Sequence, residues 1–103
     1  MILDHGTSQR LFTDAQFNAL VLRDRHCRWP GCDRPPPWTQ AHHVLPFPNG
    51  PTSLDNGVLV CDRHHHTVHL PGWSAKLEPD GTFHVTAPDG RTWITHAPGV
   101  VAL

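Results

Sequence analysis

The sequence predicts a small α+β domain: a helix near the N-terminus, a metal-clamped centre of two short strands and a second helix, and a C-terminal β-meander. Three observations predict it. A helix-capping pattern opens an amphipathic run at Thr13. The stretch Cys61–His69, CDRHHHTVH, crowds five possible metal ligands into nine residues. Pro-Asp-Gly occurs twice, at 79–81 and 88–90, between short alternating runs. A chain of 103 residues suffices for one domain with a modest core.

Residues 1–12 read as a loose polar segment. Thr13 and Gln16 form a capping box, in which hydroxyl and amide each satisfy a free N–H of the helix start. The helix they open extends to about Asp24, with Phe17, Leu20 and Val21 as its buried stripe and Leu22 and Arg23 turned outward or to the side. HCRWPGCDRPPPW follows, where Pro30, Gly31 and Pro35–Pro37 exclude helix and central strand. Residues 39–44 (TQAHHV) read as a strand, 45–56 as a turn-rich loop and 57–60 (GVLV) as a buried strand. The segment 62–70 suits a helix with Asp62 as N-cap. The meander runs through 76–77, 82–87 and 91–95, since Pro presets φ and Gly accepts φ > 0 in each Pro-Asp-Gly turn. The domain is expected over 13–95, and residues 96–103 as a tail.

Eleven Pro and eight Gly make the chain loop-rich, and small loop-rich domains need a staple. Three cysteines cannot close into intramolecular disulfides without a leftover thiol, so a metal is the better staple. Cys27 and Cys32 flank a Pro-Gly turn that presents both sulfurs to one point. Cys61 and His64, three apart at a strand-to-helix junction, complete a Cys₃His set typical of closed structural zinc. Buried free thiols and His66 as fourth ligand are the competing readings; the flanking Pro-Gly and charged residues and the Cys-x-x-His spacing argue against them. His65 and His69 are four apart, on one helix face, and can share an ion. His42 and His43 leave their strand on opposite faces, so one of them can join that ion. Three protein ligands leave coordination positions open, as in catalytic sites.

AHHVLPFPNGPTSLDNGVLVCDRHHHTVH resembles the HNH motif of the ββα-metal endonucleases, with His43, Asn56 and His65 as its His, Asn and His. CRWPGCDRPPPW and the C-terminal PDGR are similar to the HNH domains that end many actinobacterial proteins behind a domain of unknown function. The resemblance covers about residues 7–95. It implies a zinc-clamped ββα-metal core that hydrolyses DNA phosphodiesters. His43 is the implied general base, and His42, His65 and His69 the implied holders of one catalytic divalent ion (Mg²⁺, Mn²⁺, Ni²⁺ or Zn²⁺). For Asn56 two roles stand open, metal ligand or tie across the long loop, and the second is favoured. The chain departs from the usual pair of loop glycines at Asn49-Gly50-Pro51, where Pro51 lacks an N–H and fixes φ.

The net charge of −1 does not by itself suggest nucleic acid, but five of the eight basic residues precede residue 35 and seven of the eight are Arg. Arginine suits phosphate because its fork binds two oxygens. Arg25, Arg28, Arg34 and Arg63 are the expected contacts to the DNA backbone. No stretch approaches the ~20 apolar residues of a membrane span, and no signal peptide follows Met1, so the cytoplasm is the expected location. The competing function is a catalytically degenerate zinc module that binds nucleic acid or another protein. The chain is also expected to serve as one domain of a longer protein.

Overall fold

The computed structural model describes residues 11–99. The described residues form two α-helices and two antiparallel sheets, with short 3₁₀ turns at Pro36–Trp38 and Leu54–Asn56. Helix α1 spans Asp14–Asp24. Strands β1 (Thr39–His43) and β2 (Gly57–Cys61) pair antiparallel in the register Thr39↔Cys61 to His43↔Gly57. Helix α2 (Asp62–Val68) leaves directly from β2. Strands β3 (Ser74–Leu77), β4 (Phe83–Thr86) and β5 (Thr92–Thr95) form a second antiparallel sheet in chain order. None of the described helices is long and apolar enough to cross a membrane.

The capping box at the start of α1 is present in both directions: Gln16 N–H donates to Thr13 Oγ1 at 3.1 Å and Thr13 N–H to Gln16 Oε1 at 2.9 Å. The helix ends at Arg25, whose φ of 63° stops it and whose N–H still closes on Val21 O. Its fully buried positions are Gln16, Leu20 and Asp24, spaced i, i+4, i+8. Phe17 and Val21 are only half-buried. The predicted apolar stripe therefore shifts by one position, because two polar side chains are used inside.

β2 is buried along its whole length, so it reads as a continuous apolar run rather than an alternation. Val58, Val60 and Cys61 join Cys27, Phe83 and Val85 in one core cluster, with Trp29, Trp73, Ala75 and Leu77 packed around it. Each fully buried Val or Leu contributes about 1.5–3 kcal/mol. The second sheet thereby covers the centre of the domain with the inward face of β4, where Phe83 and Val85 alternate with half-buried neighbours.

Asp24 organises a buried polar cluster that ties these layers. It accepts from Arg28 Nη1 at 2.6 Å, from Arg23 Nε at 2.7 Å and from the Leu59 N–H at 3.1 Å. Arg28 also donates to Gly81 O and Thr95 O at 2.7 and 2.9 Å, which joins α1 to the second sheet. Arg23 donates to Leu54 O and Gly57 O, which pins the start of β2. Arg28 is 1% exposed, so the sequence-based assignment of Arg28 to DNA contact is wrong. Its guanidinium is spent on a carboxylate and two carbonyls, and its Nε finds no partner among the described residues.

Two boundaries also move. Phe12 lies against the His43 ring and under Gly57, and Ala97 is buried while Gly99 N–H donates to Arg23 O at 2.7 Å. The packed domain thus reaches beyond 13–95 to include Phe12 and 96–99. The remainder of the expected N-terminal segment (1–10) and tail (100–103) lies outside the described residues. Asp62 is not the N-cap of α2. Cys61 holds that position without a side-chain cap, and Asp62 instead accepts from Gln40 Nε2 at 2.8 Å.

Candidate metal centres

The first centre is built by a turn, a strand end and a helix start. Cys32 N–H donates to Trp29 O at 2.9 Å, and Cys27 N–H to Arg34 O at 2.9 Å, closing a knuckle around the Pro-Gly turn. Gly31 takes φ 79° there, a region that favours glycine. Arg28 N–H donates to Leu59 O and docks the knuckle on β2. Cys61, the last residue of β2, donates its N–H to Cys27 Sγ at 3.2 Å. One helical turn later, His64 directs Nδ1 to Cys61 Sγ at 3.3 Å and Cys27 Sγ at 3.7 Å. The ligand atoms of Cys27, Cys32, Cys61 and His64 all lie within 4.8 Å of one another and could bind a metal such as zinc. Trp29 stacks flat on the His64 ring, with 4.9 Å between centroids and 2° between planes, and so fixes its orientation.

Electrostatics set the state of these ligands. Burial pushes the Cys27 thiol up to about 12. Burial acts the same way on Cys61, but the His64 amide and the Cys27 and Cys32 side chains outweigh it and bring that thiol down. His64 is held below the ordinary imidazole range by burial and by Arg63 and Arg34, which leaves it neutral. Loading the site must displace the Cys27 proton, so binding is coupled to proton release.

The second centre lies where β1 meets α2. The ring centroids of His42, His65 and His69 are 5.0, 5.2 and 4.9 Å apart pairwise, each pair edge to face. Their ligand atoms also lie within 4.8 Å of one another and could hold an ion. Between His42 and His43, which strand alternation alone left open, the structure turns His42 toward the helix pair. His69 sits one position past the end of α2 yet keeps the helical backbone, and its Nε2 is 3.4 Å from His65 Nε2. Burial, with His65 and His69 beside it, depresses His42 to about 3. His65 is likewise lowered, by burial and by His69. Both imidazoles are therefore neutral near pH 7, the form that ligates a cation. His66, in the same helix, is exposed and belongs to neither set.

His43 leaves β1 on the other side. Its ring lies 4.6 Å from Phe12 and 6.0 Å from Phe47, and Nε2 is 2.8 Å from Thr52 Oγ1. His42, His43, His65 and His69 border one cleft of about 670 Å³ between α1, β1 and α2. Asn56 does not face it as a free ligand. Its Nδ2 donates to Leu45 O and Pro51 O at 2.9 Å each, and its Oδ1 accepts from Leu45 N–H at 2.9 Å. The amide is fully used as a tie across the β1–β2 loop. Pro51, the departure from the loop pattern, supplies one of the carbonyls in that tie.

Of the remaining predicted contacts, Arg25 and Arg63 are exposed, and Arg34 is half-buried with its guanidinium 5.6 Å from the Trp38 ring. Sequence reasoning missed the residues that support the site: Thr52, Phe12, Trp29 and Asp24. Only Trp29 carried a local signal, as an aromatic inside the cysteine turn.

A small α+β domain carrying a four-ligand Cys/His cluster and a three-histidine cluster is the class of protein defined so far. Mycobacterial proteins are similar to it. The uncharacterized proteins Rv3776 and Rv2100 of Mycobacterium tuberculosis are each 43% identical to it, over 73% and 76% of this chain. The uncharacterized protein Rv1702cMb1728c of the same organism is 33% identical over 79% of the chain. The matched region is only 15%, 14% and 19% of those proteins, so the chain corresponds to one small part of each. No family model and no solved structure matches the chain.

Proposed function

We propose that this domain is a metal-dependent endonuclease of the HNH, ββα-metal type that hydrolyses phosphodiester bonds in DNA. The observation that carries the reading is the cleft in which His42, His65 and His69 converge while His43 borders the same space without joining them. Four ligands at the Cys27, Cys32, Cys61 and His64 cluster make a closed set suited to structural zinc. Three imidazoles make an open set, and they suit a catalytic divalent ion, with Zn²⁺ and Ni²⁺ bound more tightly than Mg²⁺ or Mn²⁺. Such an ion supplies charge stabilisation at the phosphate and the leaving oxygen.

The chain's own residues do the rest. His42, His65 and His69 would hold the ion. His43 takes a proton from a water in the cleft as the water oxygen bonds to phosphorus. The P–O3′ bond breaks, the 3′ oxygen gains a proton from solvent, and His43 later returns its own proton to solvent. The products carry 5′-phosphate and 3′-hydroxyl ends. Asn56 keeps the β1–β2 loop closed so that the end of β1 stays in place. Arg25, Arg34 and Arg63 supply backbone contacts, which give affinity without sequence readout.

The test is plasmid nicking by protein stripped of its weaker-bound ion and resupplied with Mg²⁺, Mn²⁺, Ni²⁺ or Zn²⁺, beside His43→Ala. Metal-dependent nicking that His43→Ala abolishes in a folded protein is the expected result. A folded, zinc-loaded protein that retards DNA and cuts nothing with any ion would instead be the non-catalytic binding module.

A further inference from the structure

We infer that Thr52 is a positioning residue for His43, an inference that rests on the proposed base role of that histidine. Thr52 is completely buried in the β1–β2 loop, and its hydroxyl is 2.8 Å from His43 Nε2. It does not reach the histidine by chance of a mobile loop. Its carbonyl accepts from Gln16 Nε2 at 3.0 Å, and Gln16 is itself 0% exposed and locked by the capping box with Thr13. The Asn56 amide closes the same loop from its other side through Pro51 O and Leu45 O. Phe12 packs on the imidazole face, with ring planes tilted by 41°. The ring is thus held at one edge by Thr52 and on one face by Phe12.

This arrangement decides which nitrogen can react. A neutral imidazole carries one N–H and one lone pair, and the hydrogen bond made by one nitrogen sets the role of the other. Because Nε2 is engaged by Thr52, His43 as the proposed base would act through Nδ1. Nδ1 can accept a proton only in the tautomer that carries hydrogen on Nε2. In that tautomer Nε2–H donates to Thr52 Oγ1, and the bond persists when Nδ1 gains the water's proton. Orientation of a base by a third group follows the same logic in hydrolase triads. The link also runs outward: Gln16 in the first turn of α1 fixes Thr52, and Thr52 fixes His43, so the N-terminal helix is part of the site's support.

Two substitutions separate the hydroxyl from the space it fills. Thr52→Val keeps the shape and removes the acceptor; Thr52→Ser keeps the acceptor and removes a methyl. Thr52→Val is expected to lower kcat for cleavage of a DNA oligonucleotide by about 10- to 100-fold, the usual range for supporting hydrogen bonds of this kind. KM and the bound zinc are expected to stay unchanged, and Thr52→Ser to remain within about threefold of the wild type on the same scale. Nitrogen-15 imidazole spectra give a readout independent of turnover. His43 of the wild type is expected as the Nε2–H tautomer, and Thr52→Val as a tautomer mixture. A cleaving wild type with an unaffected Thr52→Val, equal losses in Thr52→Val and Thr52→Ser, or a wild-type His43 protonated on Nδ1 each overturns this inference alone. A wild type that cuts no DNA with any ion overturns the base reading and this inference with it.

Discussion

Removing the Asp24 carboxylate should strongly destabilise the domain, although it touches neither metal centre. Asp24 and Arg28 are both completely buried as side chains and 2.6 Å apart. Asp24→Ala strips the Arg28 guanidinium of its counter-charge and leaves it the Gly81 carbonyl and the carbonyl and hydroxyl of Thr95. It also orphans the Leu59 N–H inside β2 and frees Arg23 from its 2.7 Å ion pair. Breaking one side of a buried pair costs about 3–5 kcal/mol, and a lost partner for a buried amide about 1–3 kcal/mol. These contributions overlap, so about 4 kcal/mol is the working figure, against a total stability of about 5–15 kcal/mol for a domain. Arg28→Met should cost less, because Asp24 keeps Arg23 and Leu59 as donors. The assay is urea unfolding of zinc-saturated protein, followed by tryptophan fluorescence, since Trp29 and Trp73 pack on the core. Metal concentration must be held constant, because bound zinc adds to apparent stability. A loss below about 1 kcal/mol in Asp24→Ala, the size expected of an exposed pair, would refute the reasoning. An Arg28→Met protein with unchanged stability and weakened DNA retention would refute the reassignment of Arg28.

Cys27→Ser should lower tightly bound zinc from about one equivalent to well below it and cost the fold rather than activity alone, read by metal analysis and circular dichroism. A folded, zinc-loaded Cys27→Ser would remove that residue from the ligand set. Asn56→Ala should leave both metal stoichiometries unchanged while costing about 2–4 kcal/mol through orphaned loop groups, checked by calorimetry; loss of metal would make Asn56 a ligand. Gly50→Ala should distort the same loop, since a Cβ there would lie 1.9 Å from Leu45 O and 2.7 Å from Asn56 Nδ2, and wild-type unfolding behaviour would contradict it. His42 is depressed to about 3, chiefly by burial, against an ordinary 6.5, so below pH 6.5 the unfolded chain binds a proton that the fold refuses. Stability without an ion at the three-histidine site is therefore fully present above pH 6.5. It falls as pH drops toward 3, by up to about 5 kcal/mol, and His42→Gln should flatten that slope in urea titrations.

Much of this was legible because it is local. A capping box is four residues long, a Cys-x-x-His pair is one helical turn, and a Pro-Asp-Gly turn is complete in itself. The limits of α1, β1, β2 and α2 follow from such signals to within a residue or two. The Cys27, Cys32, Cys61 and His64 set and the His65 and His69 pair followed from spacing and residue type, whereas His42 was named only through the resemblance to the HNH motif. Strand alternation showed that one of His42 and His43 joins the helix pair. It left open which one, because period-two geometry is symmetric between the two faces.

Arg28 marks where sequence reading stopped. An arginine between a cysteine and a tryptophan reads as a surface contact, and nothing nearby in the chain says otherwise. Its partners are Gly81 and Thr95, more than fifty residues on, and a carboxylate whose burial depends on β2 passing over it. Thr52 was silent for the same reason: its link to Gln16 spans 36 residues. By itself the sequence determined the elements, the ligand types and their pairing, because those depend on bonds within a few residues. The tertiary structure alone decided which face of β1 meets the metal, which arginine is buried and what holds His43. Each depends on donors and acceptors that only packing brings within 3 Å.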